Sequence, residues 1–150
     1  MSENTEAVET AVEVALVDID GDGTIDAVVA VDEAGDSVTY VDVDGDGTVD
    51  IVVASDADGS TVVAIDEDGD GTADVLLVDI DGDGTVDAVI TRTEDGGTVT
   101  AIDEDGDGNA DVLLVDVDGD GTIDAIATLD ENGEVVDIYE VVEDEASASE

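Results

Sequence analysis

The chain contains no lysine, histidine, cysteine, proline, tryptophan or phenylalanine, and its one basic residue is Arg92. Each absence closes a class of function. A single cation cannot hold a phosphate backbone, which excludes nucleic acid as a partner. Anionic membrane surfaces repel the chain for the same reason. Without His or Cys there are no ligands for zinc or copper, no side chain set to titrate near neutrality and no redox signature. No apolar run is long enough to span a bilayer. The opening stretch MSENTEAVETAVE has neither the basic nor the apolar region of a signal peptide. Two tyrosines are the only aromatic residues. Paired carboxylates can hydrolyse glycosides, but with no platform to hold a substrate the chain is not expected to be an enzyme.

What remains is acid and aliphatic side chains. The 150 residues include 46 Asp and Glu, for a formal charge of −45, yet 42% are hydrophobic. Disordered acidic tails lack the short Val, Ile, Leu and Ala runs seen here, so a β-type core is expected if the charge is neutralised locally.

The acids are not scattered. The string DxDGDGTxD, with Asn for Thr in the copy at Asp103, begins at Asp18, Asp42, Asp66, Asp79, Asp103 and Asp116, at intervals of 24, 24, 13, 24 and 13 residues. Residues 66–102 align throughout with 103–139, a unit of 37 residues. Weaker turn signals (DEAGDS, DADGST, EDGGTV and DENGEV) punctuate the longer intervals, and all are read as hairpin turns. Strands are predicted at 12–17, 26–31, 37–41, 50–55, 60–65, 74–78, 87–92, 97–102, 111–115, 124–129 and 135–142, with no convincing helix. Residues 5–11 read as a strand extension or a frayed helical turn. The motif VLLV (75–78 and 112–115) predicts buried inner strands, whereas TVTAI (98–102) predicts a half-exposed outer one. The expected fold class is all-β: antiparallel strand–calcium loop–strand repeats, arranged as a propeller-like, sandwich or solenoid meander. Residues 1–142 form one repeat domain and 143–150 a disordered acidic tail.

Within each nine-residue loop the chemistry follows from position. Alternate aspartates at 1, 3, 5 and 9 turn inward as the backbone curls, glycine at 6 permits the sharp turn, and position 7 lends its carbonyl, the oxygen-ligand spacing of a calcium loop. The candidate ligands are Asp18, Asp20, Asp22, Thr24 and Asp26; Asp42, Asp44, Asp46, Thr48 and Asp50; and Asp66, Asp68, Asp70, Thr72 and Asp74. The remaining three loops supply Asp79, Asp81, Asp83, Thr85 and Asp87; Asp103, Asp105, Asp107, Asn109 and Asp111; and Asp116, Asp118, Asp120, Thr122 and Asp124. Position 8 is apolar (Ile25, Val49, Ala73, Val86, Ala110 and Ile123) and is expected to anchor the loop to the core. An EF-hand would place a bidentate Glu at position 12 between helices. Here position 12 is aliphatic and strands flank the loop, so position 9 is expected to supply the bidentate contact. Oxygen-only ligands favour Ca2+ over soft metals, and over Mg2+ with its stricter octahedron, with lanthanides as surrogates. Six such ions would take the formal charge from −45 to −33. Arg92 reads as an exposed strand residue and Tyr139 as a packing residue. Tyr40, two residues before Asp42, is placed to sensitise a bound lanthanide.

At these loops, DVDGDGTVDIVV (42–53) and DIDGDGTVDAVI (79–90) above all, the chain resembles calcium-loop repeats of the FG-GAP and VCBS type. That resemblance implies β-propeller blades and a surface or adhesion setting. The Phe-Gly and Gly-Ala-Pro elements that name the FG-GAP family are missing, and eleven strands fall short of four four-stranded blades. The repeats are uniform enough to suit a consensus-built sequence. The function expected is a calcium-binding structural or adhesion-type module, extracellular or on a cell surface. An acidic calcium buffer or mineral-binding polyanion is the alternative.

Overall fold

Short β-branched runs separated by glycine-rich loops are what an antiparallel meander requires, and the chain folds as one. The structure, a computed structural model, describes residues 12–141. Eleven strands follow in chain order: β1 Glu13–Val17, β2 Ala27–Val31, β3 Ser37–Val41, β4 Ile51–Ser55, β5 Thr61–Ile65, β6 Val75–Asp79, β7 Ala88–Arg92, β8 Thr98–Ile102, β9 Val112–Asp116, β10 Ala125–Leu129 and β11 Val135–Glu140. Each pairs antiparallel with the next, giving one open sheet in the order β1 to β11. The register breaks once, at a bulge between Thr128 and Leu129. There is no helix among the described residues, hence none long enough to cross a membrane. The expected tail (143–150) and residues 5–11 lie outside the described residues.

All eleven predicted strands are present, most starting one residue later than expected. The displaced residue is usually the position-9 aspartate. Its amide closes the acidic loop by donating to the carbonyl just before position 1, at 2.8–2.9 Å in all six loops, as in Asp26 to Val17 and Asp87 to Val78. That aspartate joins loop to sheet, since its carbonyl also accepts a cross-strand amide, as from Asp42 to Asp26 and from Asp103 to Asp87.

The sheet has a single layer: all eleven strands belong to one open sheet, and no large side chain among the described residues is fully buried. Of the arrangements left open by the sequence, this is the meander without a stacked sheet or propeller blades. The inner and outer strands predicted from VLLV and TVTAI are not found: β6 and β8 are half-buried along their whole length. Nothing lies over either face to bury one strand more than another. The described core is correspondingly thin, with Ala27 and Ala127 the buried apolar residues and no large side chain fully buried. Position 8 is divided: Ile25, Val49 and Val86 are exposed, whereas Ala73, Ala110 and Ile123 are half-buried. Tyr139, expected to pack, is 56% exposed and donates its hydroxyl to Asp137.

Register sorts the strand residues onto two faces. One row of cross-strand neighbours runs Leu16, Val28, Tyr40, Val52, Ala64, Leu76, Ile90, Thr100, Leu114, Ile126, Tyr139. The flanking row begins Val14, Ala30, Val38, Ala54, Val62, Val78. This tyrosine face therefore carries only apolar residues and Tyr40 across β1–β6. The opposite face of the same strands includes Glu13, Ser37, Thr39, Ser55, Thr61 and Asp79.

Interval length decides where each acidic loop sits. A 24-residue interval contains two strands and returns the chain to the same end of the sheet, whereas a 13-residue interval contains one and crosses over. Loops 18–26, 42–50, 66–74 and 116–124 share one end, and loops 79–87 and 103–111 the other. The two loops flanking β6 thus lie at opposite ends of that strand.

Two hairpin turns press against acidic loops on their own end of the sheet. A Cβ on Gly82 would meet the Gly59 carbonyl carbon at 2.7 Å, and one on Gly119 would run into the Gly96 carbonyl oxygen. Gly121 has the same left-handed backbone (φ +90°) but open space around it. Alanine at Gly121 should cost about 1–2 kcal/mol from backbone strain alone. Gly119→Ala should cost distinctly more, because backbone must also shift. Urea unfolding of the two variants in calcium checks this, and equal losses would contradict the close approach.

Candidate metal centres

The six acidic loops share one hydrogen-bond scheme, built almost entirely within nine residues. The position-1 carboxylate accepts the amide of the glycine at position 4 through Oδ1, at 2.7–2.8 Å. Its Oδ2 accepts the amide of the glycine at position 6, at 2.7–3.0 Å. Position 3 accepts from the amide of position 5 at 3.0–3.2 Å, and position 5 from that of position 7 at 2.7–2.8 Å. The position-9 carboxylate reaches back across the loop and accepts the amide of position 2 through Oδ2, at 2.5–2.7 Å. Each bond is charge-assisted and holds a carboxylate turned inward.

Glycine at position 4 escaped the sequence reading, which singled out only position 6. Both positions have positive φ in every acidic loop, between +73° and +96°. Such backbone is nearly confined to glycine, and the signal was present: Gly21, Gly45, Gly69, Gly82, Gly106 and Gly119 recur without exception.

The inward turn gathers the ligand atoms. Carboxylate oxygens of Asp18, Asp20 and Asp22 lie within 4.8 Å of one another, as do those of Asp66, Asp68 and Asp70. The grouping is of positions 1, 3 and 9 for Asp42, Asp44 and Asp50, for Asp79, Asp81 and Asp87, and for Asp103, Asp105 and Asp111, and there is one further group. Each could hold a metal ion. The Oδ2 atoms of positions 3 and 5 and Oδ1 of position 9 accept none of the loop's own hydrogen bonds. Oδ2 of position 9 accepts the position-2 amide and keeps a second lone pair, as do both oxygens of position 1, so these hydrogen bonds leave each residue able to coordinate an ion. All donors are oxygen, which matches hard cations.

Local bonds also lower several pKa values. The Thr24 hydroxyl, then its amide, hold the Asp22 carboxyl below its usual 3.8. Thr48 does the same to Asp46, and Thr85 to Asp83. For Asp103 the amide of Gly108 is the main cause. These bonds favour the charged form that a cation needs.

The centres differ in their surroundings. Asp116 is only 4% exposed, because the turn at 93–97 settles on its loop. A Cβ at Gly97 would lie 2.6 Å from the Val117 carbonyl oxygen. The preceding repeat has Ser60 at the equivalent place, its hydroxyl donating to the Ile80 carbonyl, and the corresponding Asp79 stays half-buried. Tyr40 lines a depression of about 480 Å³ between two loops, with Thr48, Asp50, Asp66 and Asp70. Arg92 is an exposed strand residue, as expected, and borders a second depression beside Asp68, Asp70 and Asp74. The four weaker signals are plain turns; Asp32, Asp56 and Asp130 accept amides within their own hairpins.

Comparison with known proteins finds no matching family model, no matching curated protein and no matching solved structure.

Proposed function

We propose that the protein is a calcium-dependent structural or adhesion-type module, its sheet held rigid by about six Ca2+ ions, one in each acidic loop. The observation that carries this reading is the recurrence of one arrangement. Groups of three carboxylates within 4.8 Å form inside the loops that begin at Asp18, Asp42, Asp66, Asp79 and Asp103. A turn-forming role alone requires no such convergence, as the four plain turns demonstrate. The resemblance of the loops to FG-GAP and VCBS repeats supports the same ion and the same kind of role.

In this reading the aspartates at positions 1, 3, 5 and 9 and the carbonyl of position 7 coordinate the ion, with water completing six to eight oxygens. Calcium is favoured over magnesium because the loops are flexible all-oxygen cages and not strict octahedra. Affinities fall in the weak extracellular class, about 10⁻⁴ to 10⁻³ M, which suits an extracellular or cell-surface setting. Catalysis forms no part of the proposal.

Isothermal titration of the chelated protein with calcium tests it. About six sites per chain, saturating together with a heat of folding, is the expected result. Many more weak sites with no folding transition would favour the acidic buffer or mineral-binding polyanion instead. No binding heat at millimolar calcium would sink both.

A further inference from the structure

We infer that the loop at 116–124 is the chain's tightest ion site, the first to fill and the last to empty, with Gly97 as its positioning residue. This inference rests on the proposed function, since it ranks the sites which that function assigns. Asp116 is the one buried charged residue among the described residues, at 4% exposure. At the same loop position Asp18 is exposed, and Asp42, Asp66, Asp79 and Asp103 are half-buried. The Asp116 carboxylate is held by two neutral groups, the amides of Gly119 at 2.7 Å and Gly121 at 2.9 Å. The chain's one cationic side chain, Arg92, stands two strands away across Thr98 and borders the loop at 66–74 instead. Buried charges persist in folded proteins where they are paired or coordinate a metal. Water partly solvates the other five position-1 carboxylates, so an ion gains most at Asp116.

The covering turn comes this close because position 97 has no side chain. A Cβ there would lie 2.6 Å from the Val117 carbonyl oxygen and 2.7 Å from that of Asp116. The neighbouring contact is as tight, since a Cβ on Gly119 would run into the Gly96 carbonyl. The preceding repeat supplies the comparison within the same chain. There Ser60 stands where Gly97 stands, its hydroxyl donates to the Ile80 carbonyl, and Asp79 stays half-buried. Two effects of the closer turn favour the ion. Excluding water lowers the effective dielectric and strengthens the attraction between ion and carboxylate. Contact with the turn also restrains the loop before the ion arrives, which reduces the ordering cost of binding.

Terbium titration of two variants of the full chain tests the ranking, since each retains one tyrosine as sensitiser. Tyr40→Phe retains Tyr139, whose cross-strand partner Ile126 follows Asp124 by two residues. Tyr139→Phe retains Tyr40, which borders the loops at 42–50 and 66–74. Emission in Tyr40→Phe should reach half its maximum at about tenfold less terbium than in Tyr139→Phe, and should be the last to decay as chelator is added. Gly97→Ser, which installs the residue of the equivalent turn, should raise the Tyr139-reported midpoint about tenfold. The Tyr40-reported midpoint should move by no more than about twofold. Far-UV circular dichroism with terbium bound verifies that each variant folds. Coincident midpoints in the two tyrosine variants, or the reverse order, overturn the inference and leave the proposed function standing. So does a Tyr139-reported midpoint that Gly97→Ser does not move. No sensitised emission from either tyrosine overturns the proposed function as well.

Discussion

Chelating the divalent ions should abolish most of the far-UV β signal, and calcium should restore it. Two carboxylates about 4.8 Å apart repel by about 3 kcal/mol at an effective dielectric near 20, and each loop holds at least three. Against this the sheet can set little, because no large side chain is fully buried and only two alanines form its described apolar core. A divalent ion reverses the sign. At a hundredfold excess over Kd each site adds about 2.7 kcal/mol, and six sites together exceed the whole stability of an ordinary domain, about 5–15 kcal/mol. A calcium-free chain with a full β signal, and no gain in Tm on adding calcium, would refute the metal-coupled fold.

Acid should reproduce the effect of the chelator. Asp22, Asp46, Asp83 and Asp103 have folded-state pKa values below the usual 3.8. A lowered folded value contributes stability above the unfolded value, and that contribution disappears as pH falls through the lowered one. Unfolding should therefore set in below about pH 4, with no transition near neutrality. A steep loss between pH 6 and 7, monitored by circular dichroism in calcium, would contradict the carboxylate basis.

Terbium bound to the protein should luminesce on excitation of tyrosine, and Tyr40→Phe should remove most of the emission. Tyr40 stands opposite Val28 and Val52, each two residues beyond a position-9 aspartate, and it also borders the loop at 66–74. From the sequence this ring alone appeared placed for the task. The register adds the second: Tyr139 pairs with Ile126, two residues beyond Asp124, and the amide of Val141 donates to the Asp124 carbonyl. Residual emission in Tyr40→Phe should accordingly vanish when Tyr139→Phe is added. Emission that survives the double change would mean that the ions sit away from these loops.

The strands and the loop scheme were legible in the sequence for a common reason. A β-branched run between Gly-Asp clusters declares a strand locally, and the bonds that shape a nine-residue loop join residues at most nine apart. The placement of loops at opposite ends of β6 followed from interval length, because one intervening strand reverses the chain and two restore it. The predictions that failed concern burial. VLLV and TVTAI differ in apolar content yet are equally half-buried, since burial depends on what stacks upon a face. Tyr139, and position 8 at Ile25, Val49 and Val86, are exposed on the same ground, as packing there presupposed a core that a single-layer sheet does not have.

The sequence by itself determined eleven strands, six acidic loops and the carboxylates that converge in them, since all of these arise from contacts within a few residues. Only the tertiary structure decided that the sheet stays open and single-layered. It alone seats the turn at 93–97 on the loop of Asp116, sets Tyr139 beside the loop of Asp124 and aligns one row from Leu16 to Tyr139 that is apolar but for its tyrosines and Thr100. These features depend on register summed over successive hairpins, and on close approach between segments some twenty residues apart, as Gly97 to Val117 and Gly59 to Gly82. No single repeat contains that information, because each hairpin determines only its own pairing and the continuous face exists only once all eleven strands are aligned.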